Sequence, residues 1–157
     1  MTMPRPVKKR TAAKVTAVLQ PAAPGLWFCT WKIWLEVRRR LDLVLAPLGL
    51  RSRDFWLLQI AGSGNSSQHE IADVFGLDPS SIVAMLDSLE RRGLLRRERN
   101  PRDRRVQWVR RTEAGDRLFA RALPRAQRAE ARHLALLSAA NQSQLLTAMR
   151  KLATTSK

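Results

Sequence analysis

Residues 67–93, SQHEIADVFGLDPSSIVAMLDSLERRG, carry two complete sets of helix start and stop signals in one short stretch. Ser67 stands three residues ahead of Glu70, the spacing at which a hydroxyl takes the N3 amide while the carboxylate returns to the cap's own N–H. Gly76 then offers the left-handed conformation that ends a helix. Asp78 followed by Pro79 opens a second helix, because the carboxylate accepts from first-turn amides and the fixed φ of proline suits the first position. Gly93 ends that one. Each segment is apolar on one side, Ile71, Val74 and Phe75 in the first and Ile82, Met85, Leu86 and Leu89 in the second. Two such helices joined only by Gly76-Leu77-Asp78 predict a helix-turn-helix.

At 100° per residue, the side of the second helix away from its apolar stripe holds Ser80, Ser81, Ala84, Asp87, Ser88 and Arg91. These side chains are small enough to let the helix lie close to another surface, and its first turn presents unpaired N–H groups that attract phosphate. Next come "LLRRER" and "VQWVRR" around the turn-forming "NPRD", which predict a β-hairpin. Residues 91–111 set ten arginines against two acids, a net charge of +8, which is half of the +16 carried by all 157 residues. A charge run is commonly a solvated face. Focused beside a helix-turn-helix, this one fits a polyanion better, with strand arginines Arg96, Arg97 and Arg99 neutralising phosphates and the tip entering a narrow minor groove.

Flanking segments read as helical. "LWFCTWKIWLEVRRRLDLVLAPLGL" spaces its apolar residues for a helix from about Leu26 to Pro47, and "RSRDFWLLQIAG" predicts a largely buried helix with Ser52 as its cap. "GSGNSS" reads as a linker. From Thr112 onward an Ala- and Leu-rich stretch predicts a long helix kinked at Pro124, then a last one starting near Ser138 or Asn141. Residues 1–25 hold five cations and no acid and read as a flexible basic arm. Helices outside the central unit bury their stripes against a partner, which predicts a helical dimer interface.

Other chemistries find little support. The single Cys29 leaves no disulfide framework and no cysteine pair for zinc, and suggests a reducing, cytoplasmic setting. His69 and His133 lack companions at metal-ligand spacing, and no nucleophile–base, phosphate-loop or paired-carboxylate motif stands out. No cofactor, metal or enzymatic activity is therefore expected. No apolar run approaches the roughly 20 residues of a membrane span.

The order of helix, helix, helix-turn-helix, hairpin and two helices resembles the multiple-antibiotic-resistance regulator (MarR) family of winged-helix proteins. The resemblance is carried by residues 66–115: Asp78-Pro79-Ser80 opening the recognition helix, "LDSLERRGLL" closing it, "NPRDRR" at the wing and Thr112 to Gly115 after it. It covers residues 26–154 and implies a mainly α fold with a small hairpin wing. In that layout 50–112 form the winged helix-turn-helix, 26–48 and 113–154 the dimerisation helices, and 26–157 the whole domain. Carried over by position, recognition-helix contacts fall on Ser80, Ser81, Val83, Ala84 and Ser88, wing contacts on Arg102 and Arg104, and a wing-to-helix salt bridge on Asp78 and Arg105. Many members have threonine and arginine where this chain has Val83 and Ala84, so base reading must lean on serines, methyl contacts or DNA shape. Arg111 replaces a usual leucine.

The resemblance implies a homodimeric repressor on a pseudo-palindromic operator in double-stranded DNA, with a small aromatic effector as the releasing signal. An architectural DNA coat with little sequence preference is the alternative that Ala84 and the basic arm keep open. Trp27, Trp31, Trp34 and Trp56 either pack a core and dimer interface or line an effector pocket. Cys29 lies near the place of a peroxide-sensing thiol, but the chain has no tyrosine to partner it, which favours a structural role.

Overall fold

The computed structural model describes residues 25–62, 66–100 and 106–154. The basic arm, apart from Gly25, and the wing-tip residues Arg102, Arg104 and Arg105 lie outside the described residues. Among the described residues six α-helices and three strands follow in order: α1 (Leu26–Leu45), a 3-10 turn (Ala46–Leu48), α2 (Ser52–Ala61), β1 (Ser66–Ser67), α3 (Gln68–Phe75), α4 (Pro79–Arg91), β2 (Leu95–Arg99), β3 (Gln107–Arg111), α5 (Glu113–Leu134) and α6 (Ala139–Thr154). Among the described residues no helix is long and apolar enough to cross a membrane.

The chain divides into two compact units, Met1–Glu36 and Val37–Lys157. In the first, the opening turns of α1 stack Trp27, Phe28 and Trp31, with ring centroids 5.9 and 5.8 Å apart along the series. Trp27, Trp31 and Trp34 are 76, 47 and 53% exposed. They fill no core in the single chain.

The second unit is built on one apolar cluster. Leu45, Leu57, Leu58, Ile71, Ile82, Leu86, Leu89 and Val109 are fully buried there, drawn from α1, α2, α3, α4 and β3. Each such side chain stabilises the fold by roughly 1.5–3 kcal/mol through burial. From α5, Ala122 and Ala126 approach the same cluster, and Phe119 stacks on Phe55 at 5.3 Å. Trp56, expected within a buried stripe, points outward at 44% exposure because 100° of rotation from Phe55 carries it off the core face.

Two local expectations need correction. α2 is capped at Arg51, whose N–H donates to Asp54 Oδ2 at 3.0 Å. Ser52 lies inside the helix, buried, and its own N–H goes to Asp42 Oδ1 at 2.7 Å. The supposed linker before α3 ends in a strand: β1 pairs antiparallel with β3, Ser66 opposite Val109 and Ser67 opposite Trp108. As expected, the stretch after Thr112 forms one long helix, α5, from Glu113 to Leu134 with Pro124 inside it.

The sheet order is β1-β3-β2, with Leu95 opposite Arg111 and Arg99 opposite Gln107. Its junction with α5 explains the Thr-x-x-Gly signature. Thr112 Oγ1 donates to Gly93 O at 2.6 Å and accepts from Gly115 N at 3.1 Å, capping α5 and tying it to the end of α4. Gly115 is buried so closely against Leu94 that a Cβ there would overlap the Leu94 carbonyl oxygen.

Candidate nucleic-acid interface

Helices α3 and α4 form the expected helix-turn-helix, and both caps are in place. Ser67 Oγ accepts from Glu70 N at 3.2 Å while Glu70 Oε2 accepts from Ser67 N at 2.7 Å. These bonds, the one from the Ser67 amide foremost, lower the pKa of Glu70. Gly76 closes α3 at φ 59°, a left-handed conformation that glycine adopts without Cβ strain.

Asp78 organises the start of α4. Its Oδ1 accepts from Ser80 Oγ at 2.5 Å and from Ser81 N at 3.0 Å, and its Oδ2 accepts from Ser81 Oγ at 2.6 Å. The Ser80 hydroxyl, then the Ser81 hydroxyl and amide, hold this carboxyl well below the usual carboxylate range. With both hydroxyl protons directed at Asp78, Ser80 and Ser81 are left with oxygen lone pairs as the groups their side chains can offer outward.

Ile82, Leu86 and Leu89 fix the inner face of α4, leaving Ser80 and Ala84 exposed and Ser81, Val83 and Ser88 half-buried. The five positions expected to contact DNA are therefore accessible along one side of the helix. None is cationic.

The hairpin arginines divide in a way that composition conceals. Strand period places Arg96, Glu98, Trp108 and Arg110 on one face and Leu95, Arg97 and Val109 on the other. Arg96 and Arg110 stand directly opposite, a repulsive pairing that Glu98 relieves by binding Arg96 at 2.6 Å and Arg110 at 3.0 Å. Arg110 also lies 5.3 Å from the Trp108 ring centroid.

Arg97 turns inward. Its Nη2 meets Asp87 Oδ1 at 2.6 Å, its Nη1 pairs with Glu90 Oε2, and its backbone N–H reaches Glu90 Oε1 at 3.1 Å. It was expected to neutralise phosphate; instead it ties the first wing strand to the C-terminal half of α4. Arg111 packs its guanidinium 4.3 Å from the Phe119 centroid and pairs with Asp116 at 2.8 Å. The guanidinium thus replaces leucine by stacking. Arg99, at the exposed end of β2, makes no ion pair among the described residues.

The proposed bridge from Asp78 to Arg105 and the groove contacts of Arg102 and Arg104 fall outside the described residues. Sequence reasoning missed the Arg97 contacts, although the period of the strand, Leu95 inward and Arg97 two residues on, carried the signal.

A capped helix with a lean accessible face, held beside a basic hairpin and braced by a third helix, defines a winged helix-turn-helix module. The model of the MarR family matches residues 55–106. A solved structure of CouR from Rhodococcus jostii RHA1 bound to p-coumaroyl-CoA is 30% identical, with 88% of this chain and 98% of that chain covered and a TM-score of 0.77. The transcriptional repressor CouR bound to a 23-mer DNA duplex is 32% identical over 86% of this chain and 96% of that one, again with a TM-score of 0.77. The HTH-type transcriptional regulator YhbI of Bacillus subtilis is 31% identical over 91 residues, or 57% of this chain and 59% of YhbI. The chain thus spans little more than half the length of that relative. It belongs to the MarR family.

Proposed function

We propose that the chain is a homodimeric transcriptional repressor that binds a pseudo-palindromic site in double-stranded DNA in the cytoplasm. The observation that carries this reading is the α4 surface: Ser80, Ser81, Ala84 and Ser88 stand accessible behind an Asp78 cap, and Arg97 fixes the hairpin alongside. One α4 from each copy enters successive major grooves, and each wing tip, with Arg102 and Arg104, follows the adjoining minor groove. The DNA duplex bound by CouR supports the ligand class.

The chain acts by binding, not catalysis. A second copy covers the exposed apolar residues of α1 and α6. By analogy with CouR and its p-coumaroyl-CoA, an aromatic effector releases the DNA. Trp27, Trp31 and Trp34 on α1, and Trp56 on α2, are the aromatic surfaces for one or other of these roles.

Fluorescence anisotropy on a duplex selected from random sequence, against a scrambled duplex, tests the reading. A repressor prefers the selected duplex by about 10³-fold or more. Equal affinity for both would favour an architectural coat, which the uncharged serine and alanine face of α4 makes the competing reading.

A further inference from the structure

Among the described residues, grooves on two flanks of α4 differ in charge. On one flank Ala84, Asp87, Glu90 and Arg91 line a shallow surface whose two carboxylates are occupied by Arg97. On the other, an open groove of about 610 Å³ runs between α4 and the start of α2. Ala84, Ser88 and Arg92 form its α4 wall at helical spacing, and Arg51 and Arg53 stand on the α2 wall. Its one lining acid, Asp54, accepts from the Arg51 amide and lies 3.6 Å from Arg92. Arg92 also donates to Gly49 O at 2.8 Å, which joins the turn before α2 to the end of α4. Arg51 and Arg53 are exposed and make no ion pair among the described residues.

The α4 side of this groove is the side assigned above to the major groove of DNA. Ser80, Ser81, Ala84 and Ser88 contribute no positive charge; Arg97 and Arg111 are paired with acids within the chain, and Arg96 and Arg110 share Glu98. A phosphodiester chain bordering the groove entered by α4 therefore meets two unmatched cations on the α2 flank, and on the other Arg91 alone beside two carboxylates already paired with Arg97. We propose that Arg51 and Arg53 form a phosphate-backbone clamp that fixes how α4 lies in the major groove, with Arg92 as the brace holding that wall against α4. This rests on the DNA-binding reading and adds to it a side, a residue pair and a chemical class of contact.

The test compares salt dependence. The unaltered chain, Arg51→Gln, Arg53→Gln, the double variant and Arg121→Gln are titrated against one duplex selected from random sequence, at several salt concentrations. Arg121 is exposed on α5, outside the groove, and its change removes an equal charge elsewhere. Each neutralised phosphate contributes about 0.9 to the slope of log K against log salt. Each single groove variant is expected to flatten the slope by about one unit and the double by about two, with Arg121→Gln leaving it in place. Circular dichroism melts confirm that the variants remain folded. Slopes matching the unaltered chain, or an equal loss in Arg121→Gln, would overturn the clamp while leaving DNA binding intact. If the unaltered chain binds no duplex, the DNA reading itself falls, and the clamp with it.

Discussion

At the scale of single residues, what decides the interface is where each charge is directed. Arg97 is one-fifth exposed and serves two carboxylates and a backbone bond, whereas its neighbour Arg96 lies on the opposite strand face. Arg97→Ala leaves Asp87 and Glu90 facing each other uncompensated. It is expected to lower stability by about 1–2 kcal/mol, discounted for the half-exposed carboxylates, as read from the urea midpoint at constant m. Asp78 works through geometry as well as charge. Its folded pKa is depressed, so its contribution is complete above the ordinary aspartate range and disappears as pH falls below about 4. The melting-temperature gap between the unaltered chain and Asp78→Ala should therefore be widest near neutrality and close in acid. The same substitution frees the hydroxyl protons of Ser80 and Ser81 to be donated outward. On the proposed reading, in which these serines face base edges and as acceptors select amino groups such as cytosine N4 or adenine N6, selection from random duplexes should then relax at those positions and admit acceptors such as guanine O6.

Elements were legible in the sequence where the signal is local. The Ser67–Glu70 box, Asp78-Pro79, Gly76 and Thr112 each mark a boundary through hydrogen bonds made within four residues, so the pattern and the structure coincide. β1 was not legible, since two serines acquire strand conformation from pairing with Val109 and Trp108, more than forty residues away. The cap of α2 failed for a related reason: Ser52 has the right chemistry, but Asp42 on α1 claims its N–H and burial draws it into the helix. The candidate site was half legible. The α4 face follows from helix period, whereas Arg51 and Arg53 reach that face only through the packing of α2 against α4. Thr-x-x-Gly could be recognised, but its cause is tertiary and can be tested. Alanine raises helix propensity over glycine, yet Gly115→Ala forces a methyl into the Leu94 carbonyl. Overpacking should prevail, with a loss of about 1–3 kcal/mol in thermal or urea unfolding.

For the whole molecule, the decisive fact is apolar surface that one copy does not cover. α6 has no fully buried residue, only partial burial at positions such as Leu145 and Leu146, and a 16-residue helix is marginal in water on its own, so a partner surface would stabilise it. Leu136, Met149 and Leu152 are 77, 43 and 59% exposed towards the C-terminal end, and Trp27 and Trp34 are more than half exposed on α1. Single exposed apolar residues are ordinary, but sets of them on and between the helices that flank a DNA-binding module in the chain fit a two-fold interface. Sedimentation equilibrium should accordingly give twice the 17.8 kDa chain mass at micromolar concentration. Two-fold symmetry then imposes a spacing on the DNA, because two α4 helices in one rigid dimer meet major grooves about one helical turn apart. Inserting about five base pairs between the half-sites turns the second to the opposite side of the duplex. The dimer can then engage only one half-site specifically, and loses the high effective concentration that links the two contacts. Affinity for the altered duplex should fall by about 10²–10⁴, to that of an isolated half-site. An unchanged affinity would mean that each copy binds alone, and would separate the exposed helices from the reading of DNA.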